Sequence, residues 1–298
     1  MIETKTLNGH TILLMDICTI GLIKDRSNIL IGNDNRKKER LSELTELAKS
    51  KEYRFSFLLS IIEKATDRKN ELTVDAVIKE FEHDWQCVAN FVGLDYMREP
   101  LSLLKHMIYT LMNSDYSKDE WAELSLPNVL KLLDYYSSFK ITGIPSQKDR
   151  YIISEKLVRF SKELEFHHGH IAIIICVAAI YGCRDAINIL KIKNKGHFNA
   201  SNCLGDIMTL YRVATVVEML KNTPKSQEVR CIFRTEDKAL ENLHSYREAT
   251  CNTNIDTGET SKSTTIKEPE RLFPMLFKKN DVQEKKEREA IYRLLNLH

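Results

Sequence analysis

Three short apolar runs interrupt a chain that otherwise repeats its hydrophobic positions with helical spacing. Thr11-Ile12-Leu13-Leu14-Met15 is continuously apolar, the pattern of a strand buried on both faces. YRFSFLLSII over Tyr53–Ile62 alternates large residues with Ser56 and Leu58, which predicts a second strand. VRCIF over Val229–Phe233 is β-branched and aromatic, and predicts a third. Between them, Arg36–Ser50 carries Leu41, Leu44, Leu47 and Ala48 on one helical face. Thr73 offers an N-cap to a stripe of Val74, Val77, Ile78, Phe81, Trp85, Val88 and Val92 that stops at Gly93. Further helices are predicted at Pro100–Asn113, Pro127–Phe139, Arg150–Glu165, Asp185–Lys191 and Ile207–Leu220, and at Ile171–Tyr181, where the isoleucines leave a strand as the alternative.

The pattern divides the chain into residues 1–71, a helical segment 72–195, a return to strand and helix over 196–247, and a tail 248–298. The start of the tail, Glu248–Glu268, is rich in Thr, Ser, Asn and Glu and reads as a mobile linker. Beyond it, Leu272–Phe277 is a short sticky segment and Asp281–Leu297 a charged helix.

Composition changes this picture little. With 298 residues, 43% apolar and 29% charged, the chain fits a protein with one sizeable core or a core and a subdomain. A formal charge of +2 leaves any nucleic-acid field to local clusters such as Arg36, Lys37, Lys38 and Arg40. Seven cysteines without a C-x-x-C pair point to reduced thiols and a cytoplasmic location. No secretory signal is visible, and the longest apolar run, Ile171–Tyr181, is too short for a bilayer, so no membrane association is expected. The run Glu165-Phe166-His167-His168-Gly169-His170 lacks the companion spacing of a zinc site and reads as an inter-helix turn.

Candidate chemistry lies at the element ends. Asp16 follows the first strand, Glu63 follows the second, Asp206 opens the Ile207–Leu220 helix, and Asp237 follows the third strand with Thr235 two residues before it. Each has a structural reading as a helix cap or a dipole partner. Together they have another, because the carboxyl ends of parallel strands share one edge, where ligands bind. Carboxylates gathered there repel one another unless a divalent cation intervenes, and hard oxygen donors suit Mg²⁺ or Mn²⁺.

This order, carried by ILLMDICTIGLIK, YRFSFLLSIIEKA, NCLGDIMTLYRVAT and CIFRTEDKALENL, resembles the PIN-domain nucleases. The resemblance implies an α/β fold: a PIN-like parallel-sheet core flanked by helices, here with a large all-helical insertion. It implies that Asp16, Glu63, Asp206 and Asp237 bind Mg²⁺ or Mn²⁺ and that Thr235 helps orient the site. Cys18 stands where the family usually has Asn, Ser or Thr. A haloacid-dehalogenase phosphatase would need a second Asp at that same position, which excludes that family. The implied activity is metal-dependent hydrolysis of phosphodiester bonds, RNA favoured over DNA, as in toxins or anti-phage effectors. A regulatory protein or second copy is expected to engage the helical insertion or the tail. The alternative is a non-catalytic PIN-like module that binds RNA or organises an assembly.

Overall fold

The computed structural model describes residues 11–65, 73–113, 126–166, 169–191, 200–221, 230–254, 260–279 and 281–297. The chain forms two compact units, one of residues 1–118 and 215–237 and the other of residues 119–214 and 238–298.

The first unit is mixed α/β. β1 (Thr11–Met15) leads to α1 (Ile17–Lys24), α2 (Arg26–Ile31), α3 (Asn35–Ser50), β2 (Tyr53–Ser56), α4 (Leu58–Ala65), α5 (Val74–Val92) and α6 (Leu101–Asn113). β3 (Cys231–Arg234) joins much later in the chain. The sheet has the order β2-β1-β3 with both pairings parallel, Leu14 standing opposite Ser56 on one side and Phe233 on the other. β1 is therefore central, which is why its residues are apolar on both faces: Leu13, Leu14 and Met15 are fully buried. Leu41 and Leu44 of α3, Ile20 and Ile23 of α1, and Val77, Phe81 and Val88 of α5 complete one apolar core with Phe55 and Phe57. The helices α5 and α6, which the sequence pattern groups with a separate helical segment, sort with the sheet.

The second strand is shorter than its apolar run suggests. It ends at Ser56, whose Oγ accepts from the Leu58 N–H at 3.3 Å, and Leu58 opens α4 instead of continuing the ladder. LLSII is then buried all round as the first turn and more of a helix, a pattern that a short continuous run leaves open.

The second unit is built round α9 (Ile171–Ile180), whose ten residues are all buried. α7 (Leu126–Ser138), α8 (Gln147–Glu163) and α10 (Arg184–Ile189) pack against it. Gly182 terminates the α9 turn at φ +87°, the left-handed region open to glycine. α11 (Ala200–Lys221) begins earlier than Ile207, because Cys203 and Leu204 extend its buried face back through the polar stretch that reads as a turn. α12 (Lys238–Ser245) follows, and then the chain departs from a linker. β4 (Arg247–Thr253) and β5 (Thr260–Ile266) form an antiparallel hairpin, in which β-branched Thr250, Thr264 and Thr265 fill strand positions. The sticky segment that follows buries Leu272, Phe273 and Leu276 around α13 (Pro269–Leu272), with the Met275 N–H donating to the Tyr181 carbonyl at 3.1 Å. α14 (Val282–Leu295) is tied to α8 by Glu287, which accepts from Arg150 Nη2 at 3.1 Å and Gln147 Nε2 at 2.9 Å. No described helix is long and apolar enough to cross a membrane.

Candidate functional site

The parallel registers bring the ends of β1 and β3 side by side. Met15 stands opposite Arg234, so Asp16 and Thr235 are the first residues beyond each strand. The Asp16 N–H donates to the Arg234 carbonyl at 3.3 Å, adding one rung to the ladder. The Asp16 side chain then caps α1, its Oδ1 accepting from the Thr19 N–H at 2.7 Å. Thr19 Oγ1 in turn donates to the Arg234 carbonyl at 3.0 Å. Thr235 is buried and hydrogen-bonds the Asp16 carboxylate, while its Oγ1 accepts from the Asp237 N–H at 3.0 Å. One hydroxyl thus orients Asp16 and fixes the turn that carries Asp237.

The electrostatics of this edge are unequal. Asp16 is 3% exposed. Burial, assisted by the nearby Glu236 charge, pushes its carboxyl above the ordinary range against the hydrogen bonds from Thr235 and Thr19. Glu236 itself is bound on both oxygens, by Arg40 Nε at 2.7 Å and Arg234 Nε at 2.9 Å. Arg40 Nη2 also donates to the Thr235 carbonyl at 2.6 Å, and Arg234 Nη1 reaches Glu43 at 3.0 Å. Two guanidinium groups therefore staple the turn after β3 to α3. Beside it lies an open cleft of about 420 Å³, lined by Arg36, Lys37 and Arg40, by the acids Asp25, Asp34, Glu236 and Asp237, and by Cys18. Arg36 and Lys37 are exposed in the first turn of α3, whose backbone N–H groups also favour anions.

Asp16, Thr235 and Asp237 are thus brought together. Glu63 occupies the second turn of α4, not its start, because the strand ends at Ser56; it is half-buried, roughly 7.5 Å of helix rise beyond Leu58. Asp206 lies inside α11 in the second unit, not at a helix start, and pairs with Lys191 at 3.6 Å. Among the described residues, no group of three or more His, Cys, Asp or Glu side chains is arranged to hold a metal ion. His167 and His168 lie outside the described residues; His170 caps α9, its Nδ1 accepting from the Ala172 N–H at 3.2 Å.

One acidic residue at this edge escapes sequence reasoning. Glu99 is buried beyond the end of β2, accepting from Ser56 Oγ at 2.9 Å and the Phe57 N–H at 3.0 Å. Burial pushes its carboxyl up to about 7, against those two hydrogen bonds and the Arg98 charge. Its neighbours in sequence, Arg98 and Pro100, give no periodic signal. What places it is the pairing of Met97 with Phe55 and the bond from the Arg98 N–H to the Phe55 carbonyl, which add a bridge to the edge of β2.

Comparison with protein-family models, curated proteins and solved structures finds no match to this chain.

Proposed function

We propose that this chain is a metal-dependent nuclease, foremost an endoribonuclease of the toxin or anti-phage effector type, acting at the carboxyl edge of β1 and β3. The observation that carries the reading is the pair Asp16 and Asp237, linked through Thr235 at the ends of adjacent parallel strands. The donor set suits Mg²⁺ or Mn²⁺, since Mg²⁺ commonly takes one or two carboxylates and keeps several waters. A buried carboxylate held above its ordinary range is also what a neighbouring cation would relieve. Asp16 and Asp237 would hold the ion, with Glu63 of the same unit as the further ligand that the PIN resemblance implies. The ion, when bound, would polarise a phosphate and lower the pKa of a bound water. Thr235 keeps the Asp16 carboxylate aimed, and the Arg40 and Arg234 staple keeps Asp237 at the cleft. Arg36 and Lys37 neutralise the phosphates of the strand laid along the cleft.

A second reading is favoured by one specific observation. Asp16 is satisfied as an N-cap, and the described residues contain no three-ligand group. In that case the fold is a PIN-like module that binds RNA or organises an assembly through a partner on its helices. Incubation of total RNA and of DNA with Mn²⁺ or EDTA, beside Asp16→Asn and Asp237→Asn, separates the two. The nuclease reading expects Mn²⁺-dependent cleavage of RNA that both variants lose, together with Mn²⁺ raising the parent melting temperature. RNA binding without cleavage, and melting indifferent to Mn²⁺ and Mg²⁺, would establish the module. DNA cleavage alone would keep the chemistry and change the substrate.

A further inference from the structure

Among the described residues, the second unit contains a buried cation with no counter-charge. Arg247, the first residue of β4, is 3% exposed. Its Nε, Nη1 and Nη2 make no hydrogen bond. An arginine carries five N–H donors and does not lose its charge in proteins, so among the described residues this guanidinium has no partner for its donors.

The surroundings explain why no side chain answers it. In the hairpin register, Arg247 pairs with Ile266 and Ala249 with Thr264, so these four share one face. The nearest carboxylate in the hairpin, Glu248, projects from the opposite face and is bound to Lys267 at 3.0 Å. The residues whose electrostatics register Arg247 are Tyr211 of α11 and His244 of α12. Tyr211 is a phenol, its Oη accepting from the Ile171 N–H at 3.2 Å. His244 is held neutral by burial and by the positive charges of Arg247 and Lys267, down to about 4. The groups that face Arg247 are thus a hydroxyl and a neutral imidazole. Burial also weakens the grip of Arg247 on its own proton, down to about 10.

We propose that the buried face around Arg247 is an anion site, in which Arg247 takes a phosphate-type oxyanion in the fork of its guanidinium. The guanidinium fork matches two oxygens of such an ion. The Tyr211 and Thr264 hydroxyls, which face each other, border the position of the remaining oxygens. A bound dianion removes the cost of the bare cation and lets His244 accept a proton beside it. The site belongs to the second unit and does not depend on the nuclease reading. The shared chemistry is the phosphate group, whether of a free ion or at the end of a larger ligand.

The test uses the full chain at fixed ionic strength, with inorganic phosphate, adenosine monophosphate and chloride as separate arms. Calorimetric titration is expected to give one phosphate or one nucleotide per chain, with a saturable rise in melting temperature that chloride does not produce. Phosphate binding alone identifies a free-ion site, and nucleotide binding alone a site for a phosphorylated ligand. Arg247→Met keeps the bulk and removes the charge; it is expected to melt higher than the parent without phosphate and to bind neither probe. Arg247→Lys keeps the charge without the fork and is expected to bind at least tenfold more weakly. Should Arg247→Met fail to fold, the parent titration and the lysine variant still decide the matter. No titration of the parent by either probe would overturn the proposal. Unchanged binding in Arg247→Lys or Arg247→Met would overturn it equally.

Discussion

Replacing Glu99 by Gln gives a pH experiment whose sign and size follow from the geometry. In the folded chain, burial holds the Glu99 carboxyl at about 7, against an ordinary value of 4.5. The native state therefore keeps a proton that the unfolded chain releases between those two values. Stability associated with this group is complete below pH 4.5, falls as pH rises through the window, and is gone above about 7. At 1.36 kcal/mol per pKa unit, the ionised form costs about 3 kcal/mol. Glutamine keeps the acceptor for the Phe57 N–H, turns an N–H toward the Ser56 hydroxyl and carries no charge to desolvate. Urea unfolding followed by tryptophan fluorescence reads it directly, because Trp85 Nε1 donates to the Glu99 carbonyl at 3.2 Å. From pH 5 to pH 8 the parent is expected to lose about 2.5 kcal/mol relative to Glu99→Gln. Asp16 and every other acid contribute to both curves and cancel in the difference. Parallel stability profiles for the two proteins across that range would refute the reasoning.

Arg40→Met removes the staple between α3 and the turn after β3, and is expected to cost about 1–3 kcal/mol in urea unfolding; Arg40→Lys should recover little of it, since one ammonium cannot serve Glu236 and the Thr235 carbonyl in the same geometry. Gly182→Ala forces a side chain onto φ +87° and sets its Cβ 3.1 Å from Ile144 Cδ1, for an expected loss of about 1–3 kcal/mol seen as a lower melting temperature. Alkylation with iodoacetamide, mapped by peptide mass spectrometry, should modify exposed Cys18 well before Cys176, Cys183, Cys203 or Cys251; Cys176 is fully buried and burial pushes its thiol far up. If Cys18 borders the working cleft, its alkylated form should also lose RNA binding while keeping its melting temperature.

What the amino-acid sequence makes legible here is the backbone logic of the sheet. A four-residue apolar run such as Ile12–Met15, too short for a helix of its own, suits the central strand of a parallel sheet, and Asp16 stands where the strand stops. The Thr235 and Asp237 turn is legible for the same reason. Glu63 is displaced because YRFSFLLSII satisfies both periods, and the choice falls to Ser56, whose hydroxyl takes the Leu58 N–H and ends the strand. Asp206 is displaced by tertiary burial of Cys203 and Leu204, which overrides the weak helix propensity of Asn202 and Gly205. The hairpin after Arg247 hides behind a polar composition, since β-branched Thr serves a strand as readily as it serves a linker. Glu99 and Arg247 carry no local pattern at all. Both matter only through neighbours supplied by other elements, Ser56 and Phe57 for one, Tyr211 and His244 for the other.

The strand order β2-β1-β3 has a consequence on the ribosome. β1 ends at Met15, and its second partner begins at Cys231. At roughly 5–20 residues per second, synthesis leaves one edge of the central strand open for on the order of 10–40 seconds. During that interval a fully apolar strand shows an unpaired row of N–H and C=O groups beside nascent helices. That is the hazard an exposed edge strand presents to another chain. The newborn chain is therefore expected to depend on a holding factor until about residue 237 has emerged, and release at residue 220 should yield aggregates where release at 298 yields folded protein.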